Sequence, residues 1–179
     1  AVQAATMDFG EVVISFGNYI LRGSHARKIS EEGFDAFDTP GVMPLGTSTA
    51  LSEGIRLREH RIKTGSSDAR LFTDFDTAIF HYAHISGARV DEDLLYIAQS
   101  RHNHGIILGS FGAGNLPDRL IKFIREAKAN DKPVFVYTRC EIGAADMGIY
   151  SVGAAPLEAG AKPAGDMTLE TLGQKSMYA

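Results

Sequence analysis

Tryptophan is absent from these 179 residues, and cysteine occurs once, at Cys140. A lone thiol excludes an internal disulfide framework and fits a reducing compartment, so a cytoplasmic protein is expected. Long apolar runs are missing as well. Nothing approaches the ~20 consecutive residues that a bilayer-spanning helix needs, and the first residues lack the basic start and apolar middle of a signal peptide. No membrane contact is expected. Nor is there an excess of positive charge: the net charge is −4 and the 18 Lys and Arg residues are scattered. That leaves no basic face for a phosphate backbone, so nucleic acid is not expected to bind directly. What remains is ordinary globular composition, 44% hydrophobic and 22% charged, enough for one substantial core or two small ones.

The chain starts at Ala1 in AVQAAT, which reads as the middle of a helix because no capping residue precedes it. LETLGQKSMYA likewise ends inside a helical pattern. Both ends are expected to be cut, as in a processed product or a fragment. GEVVISFGNYI has the β-branched and aromatic density of a buried strand, and SFGN suggests a turn over an exposed edge. Residues 22–38 are polar with Phe34 and Phe37 at helical spacing, and Pro40, Gly41, Pro44 and Gly46 follow. A strand–helix unit over 1–46 is expected. Residues 47–70 are rich in Ser, Thr, Gly and charge and read as a linker, with GIRLREHRI as an edge strand or hairpin arm.

From residue 71 the alternation becomes regular. TAIFHYAHI reads as a strand, VDEDLLYIAQSRHN as a helix, GIILGSF as a strand, LPDRLIKFIREAKANDK as an amphipathic helix with Leu120, Ile121 and Ile124 inward, and PVFVYTRC as a third strand. Crossovers of that length imply a parallel sheet with helices on both faces, an α/β fold.

Gly105 to Pro117, GIILGSFGAGNLP, breaks a strand into glycines just before a helix. Such a break exposes backbone N–H groups and a polar side chain at the carboxyl edge of the sheet, where α/β proteins bind ligands. The glycine spacing fails the dinucleotide fingerprint, and the lysine and hydroxyl of a P-loop are missing. Either the glycines only make a tight turn or the loop holds a ligand. Asn115 favours the second, because an amide both donates and accepts and suits a carboxylate, an ammonium or another amide.

His81 and His84 sit an odd number of residues apart in a strand and so face opposite ways. With His102 and His104 they complete no recognisable ligand set, and no metal is expected. Ser24 beside His25 is no triad, and GxSxG is absent. Cys140, at a strand's carboxyl end, is either a reactive thiol or a small core residue. The residues thus supply a binding edge, no complete catalytic machine and no cofactor site.

Taken jointly, the GAGN-P loop, the strand into Thr138, Arg139 and Cys140, Gly143, MGIY at 147–150, AG at 159–160 and GDMT at 165–168 resemble the C-terminal domain of bacterial L-asparaginases, particularly the cytoplasmic type I enzymes. EVVISFGNYILRGSHARK and FDAFDTPGVMPLG look like the last strand of the family's N-terminal domain and the segment leading to its linker. The resemblance assigns 1–46 to the tail of an N-terminal catalytic domain, 47–70 to the linker and 71–179 to a flavodoxin-like C-terminal domain. It implies an amidohydrolase for linear amides whose nucleophilic threonine, within a TGGTI-like loop, is on a second chain, since neither that loop nor a DGTDT segment is present here.

The family builds each site between the N-terminal domain of one subunit and the C-terminal domain of its neighbour. The resemblance therefore places Asn115, with Gly114 beside it, against the substrate, and implies a dimer of heterodimers or a tetramer. Tyr150 falls where type I-like members carry tyrosine and periplasmic members a glutamate that meets the substrate's amino group; it either contacts substrate or packs at the interface. AHISGA replaces the family's usual Pro-Gly, and Ala144–Ala145 its Val-Asn, so the amide hydrolysed is left open. Two other readings stay open: an asparaginase-like component of a tRNA-dependent amidotransferase, and a non-catalytic ligand-binding or assembly domain.

Overall fold

In a computed structural model, which describes residues 1–49, 54–58, 70–78, 80–84, 90–149 and 151–178, the chain divides into two compact units, Ala1–Leu71 and Phe72–Ala179. The second unit carries the regular alternation. Its strands β7 (Phe80–His84), β8 (Gly105–Ser110), β9 (Val134–Thr138) and β10 (Ala161–Pro163) form a parallel sheet in the order β10-β9-β8-β7. β8 is buried along its whole length, which is why it reads as an unbroken apolar run rather than an alternating one.

Successive side chains of these strands serve two cores. Ile106, Leu108, Val134 and Val136 pack with α2 (Val90–Gln99), α3 (Leu120–Ala129) and α4 (Ser151–Ala159). Ile107, Phe135 and Tyr137 pack with Leu169 and Leu172 of α5 (Leu169–Tyr178). Helices therefore cover both faces, as the alternation implies. On α3 the fully buried residues are Leu120, Phe123, Ile124 and Ala127, while Ile121 is only partly covered. Thr168 caps α5, its Oγ1 accepting the Thr171 N–H at 3.3 Å.

Lys132, 8% exposed, lies between α3 and β9. Its ammonium donates to the carbonyls of Ile97, Ala98 and Ser100 at the end of α2. One cation thus serves three carbonyls at the negative end of the helix dipole, two of which, Ile97 and Ser100, also accept from Asn103, while burial pushes the Lys132 pKa down. Lys132→Met takes the charged donor from all three and leaves the Ala98 carbonyl with none among the described residues, and a loss of about 1–3 kcal/mol is expected. Chemical denaturation measures it.

The Asp76 carboxylate accepts from His104 Nδ1 at 2.6 Å and from the Ala78 N–H at 2.9 Å. These bonds, the His104 one foremost, hold its pKa below the usual 3.8. Folding therefore favours the ionised form, and the contribution is complete above pH 3.8 and lost as pH falls through the lower folded-state value. Asp76 also donates its N–H to the Met177 carbonyl of α5. Acidification below that range is expected to free the 74–78 segment before the sheet opens, read as early loss of amide protection at Asp76 and Ala78.

The first unit differs from its sequence reading. β1 (Val13–Phe16) and β2 (Tyr19–Arg22) form a hairpin around Gly17-Asn18, and β5 (Gly46–Thr49) and β6 (Gly54–Leu57) extend it into an antiparallel sheet, order β1-β2-β5-β6. GEVVISFGNYI is thus two strands, not one. Residues 22–38 form no helix longer than a 3-10 turn at Gly23–His25, followed by the two-residue pair β3 (Arg27–Lys28) and β4 (Phe37–Asp38). Phe37 meets Phe16 edge to face, centroids 4.9 Å apart, while Phe34 stays exposed, so their spacing reflects a turn rather than a helix face. Residues 47–49 and 54–57, read as linker, belong to this sheet, with GIRL as its edge strand. A short helix, α1 (Val2–Ala5), sets Ala4 against Ile20 and Leu45.

Candidate functional site

At the carboxyl end of β8 the backbone closes on itself within five residues. The Asn115 N–H donates to the Phe111 carbonyl at 2.8 Å, and the Phe111 N–H donates back to the Asn115 carbonyl at 3.1 Å. The small loop so formed stands where open parallel sheets bind ligands. Gly114 is buried at φ +117°, a conformation L side chains rarely adopt, and a Cβ there would come 2.5 Å from Cγ of the buried Met147. Asn115 follows, half-buried. Its side chain has no hydrogen-bond partner among the described residues.

The loop is fastened to the end of β9. Thr138 donates its hydroxyl to the Gly112 carbonyl at 2.6 Å and accepts the Cys140 N–H at 3.1 Å. Ser110, fully buried, donates to the Tyr137 carbonyl at 2.8 Å. The Arg139 guanidinium lies 5.8 Å from the centroid of the exposed Phe111 ring. Residues 143–149 close the third side: the Ala145 N–H donates to the Gly165 carbonyl at 2.8 Å, and the Gly148 N–H to Asp146 Oδ1 at 3.3 Å. A neutral amide is thereby held on a rigid frame, free to donate and accept.

Gly114 and Asn115 are thus adjacent on one loop, and Tyr150 lies outside the described residues. Cys140 is exposed, not a core residue, because β9 ends two residues before it. Ser24 Oγ stands 3.0 Å from His25 Nδ1 on the exposed 3-10 turn of the first unit. His81 and His84 lie on β7, and His104 is committed to Asp76. Among the described residues no group of three or more His, Cys, Asp or Glu is placed to hold a metal ion. Also among them, no helix is long and apolar enough to cross a membrane.

Reading the sequence missed the part played by Thr138 and Met147. Thr138 stands out only as a hydroxyl at a strand's carboxyl end, and its partner lies 26 residues away. Met147 is marked only as the first residue of MGIY, which says nothing of its role here, filling the space a Gly114 side chain would need.

Comparison with known proteins matches residues 79–179 to the glutaminase/asparaginase C-terminal domain and residues 1–63 to the asparaginase N-terminal model. The thermostable L-asparaginase of Thermococcus kodakarensis superposes with a TM-score of 0.86 at 28% identity, over 99% of this chain and 53% of that one. L-asparaginase 1 of Escherichia coli K12 is 30% identical over 98% of this chain and 51% of its own length. One component of the glutamyl-tRNA(Gln) amidotransferase of Methanothermobacter thermautotrophicus is 29% identical over 95% of this chain and 40% of its own. The chain spans about half the length of the curated relatives it matches.

Proposed function

The chain belongs to the glutaminase/asparaginase family, and from that premise we propose that it supplies the substrate-positioning half of an amidohydrolase for linear carboxamides. Asn115 and Gly114 hold the substrate's amino-acid head, with Tyr150 beside them, and a threonine on a partner chain bearing the N-terminal domain attacks the amide carbonyl. Ammonia leaves from the tetrahedral intermediate, and water then hydrolyses the acyl ester. The assembly is a dimer of heterodimers or a tetramer working in the cytoplasm, without metal or cofactor.

One observation carries this reading: a half-buried amide with no partner among the described residues stands on a loop locked at both ends, at the carboxyl edge of a parallel sheet. An amide so placed need not react. Holding the reacting carbonyl in attack geometry can by itself lower a barrier by several kcal/mol. The test is ammonia release from L-asparagine and L-glutamine by the protein with and without co-purified chains. Turnover that needs a second chain supports the reading, and turnover by residues 1–179 alone overturns the partner nucleophile.

The amidotransferase reading has an observation of its own, since relatives named as components of glutamyl-tRNA(Gln) amidotransferases match 83–100% of this chain at 25–29% identity. It would be favoured by glutaminase activity that appears only with a tRNA-binding partner.

A further inference from the structure

The amino edge of the parallel sheet, opposite the glycine loop, carries a cleft of about 270 Å³ where α2 and α3 end. Pockets for drug-sized ligands begin near ~300 Å³, so only a small molecule fits. Its wall presents hydrogen-bond acceptors in excess. Asn103 is 5% exposed. Its Nδ2 donates to the Ile97 carbonyl at 3.4 Å, and its Oδ1 has no partner among the described residues. A buried amide oxygen without a donor is costly, and native structures seldom leave one. Asn130 is turned the same way: its Nδ2 donates to the Glu126 carbonyl at 2.8 Å, which leaves its Oδ1 available. The Asp131 carboxylate and the negative end of the α3 dipole stand beside them, the α2 end being taken by Lys132.

On the donor side, Lys132 is spent, because its ammonium is shared among three α2 carbonyls. Arg101 is exposed and has no ion-pair partner among the described residues. Its planar fork suits a carboxylate. A simple anion entering the cleft would meet Asp131 and the α3 end, and a simple cation would meet Arg101 and the Lys132 ammonium. We infer that the cleft binds a small zwitterion, a free α-amino acid, with its ammonium toward Asn103 Oδ1, Asn130 Oδ1 and Asp131 and its carboxylate toward Arg101. The cleft lies away from the glycine loop, so this site stands apart from the proposed hydrolysis.

Isothermal titration of the purified protein with glycine, acetate and methylammonium tests it. Glycine is expected to bind saturably, with acetate and methylammonium at least about tenfold weaker. Arg101→Gln, on an exposed side chain, is expected to weaken glycine about tenfold, and Asn115→Ala to leave it unchanged. Perturbation of the Asn103 side-chain amide resonance in unsubstituted protein gives a second readout that needs no variant. The inference is overturned if glycine shows no saturation up to about 10 mM, if acetate binds as tightly as glycine, if Arg101→Gln has no effect, or if Asn115→Ala abolishes binding.

Discussion

Replacing Asn115 by alanine is expected to lower amide turnover in the active assembly by about a hundredfold, the size of effect that follows from losing a positioning contact. The fold should not notice. The Asn115 side chain has no hydrogen-bond partner among the described residues, while its backbone N–H and carbonyl make the bonds that close the loop, and alanine keeps both. Denaturation should therefore move by no more than about 0.5 kcal/mol, as at a surface site. A loss of kcat with intact stability separates a substrate contact from a loop-building residue. Unchanged turnover would remove Asn115 from the site, and a large fall in stability would make its role structural.

The second large effect is on stability, and it comes from Gly153 on the first turns of α4. A Cβ there would stand 2.0 Å from the Met147 carbonyl oxygen and 2.8 Å from its carbonyl carbon. That obstacle is backbone, not the tip of a side chain that can swing aside. Met147 itself is pinned, 2% exposed, with its Cγ in the space next to Gly114. Gly153→Ala must then displace either α4 or the 147–149 turn, and a cost of about 3 kcal/mol is expected, the upper end for overpacking.

Gly173 is the control. It lies inside α5, and a Cβ added to it meets nothing within 4 Å, so Gly173→Ala should stabilise by up to about 1 kcal/mol through helix propensity alone. Denaturant midpoints of the two variants, at unchanged m, should move in opposite directions. Equal shifts would mean that the contact between α4 and Met147 is not tight.

The sequence is legible where an element is long enough to show its period and silent where a residue acts through the fold. The strand–helix alternation of the second unit is legible because each element is long enough to show its period: β8 is wholly apolar, and α3 buries Leu120, Phe123, Ile124 and Ala127 on one side. Asn115 stands out because its amide both donates and accepts at a strand's carboxyl end. The first unit is less legible. Its strands run four residues or fewer, too short for alternation to separate from chance, and Ser, Thr and Gly in β5 and β6 look like linker because their partners are supplied by pairing. Gly46 sits opposite Ile20 on one side and Leu57 on the other, a relation no local window contains. The same limit hides Thr138, Met147 and Gly153. Each acts on a neighbour brought close by the fold, and exposure of Cys140 depends on where β9 stops.

The central claim is that this chain grips the substrate while the covalent chemistry happens elsewhere. Its most direct test is to trap the active preparation with a slow acyl donor that resembles a linear amide and to locate the adduct by peptide mass spectrometry. The account predicts an adduct on a threonine of a second chain and none within residues 1–179, with trapping strongly reduced by Asn115→Ala. An adduct on Cys140, Ser24 or any other residue of this chain would contradict it.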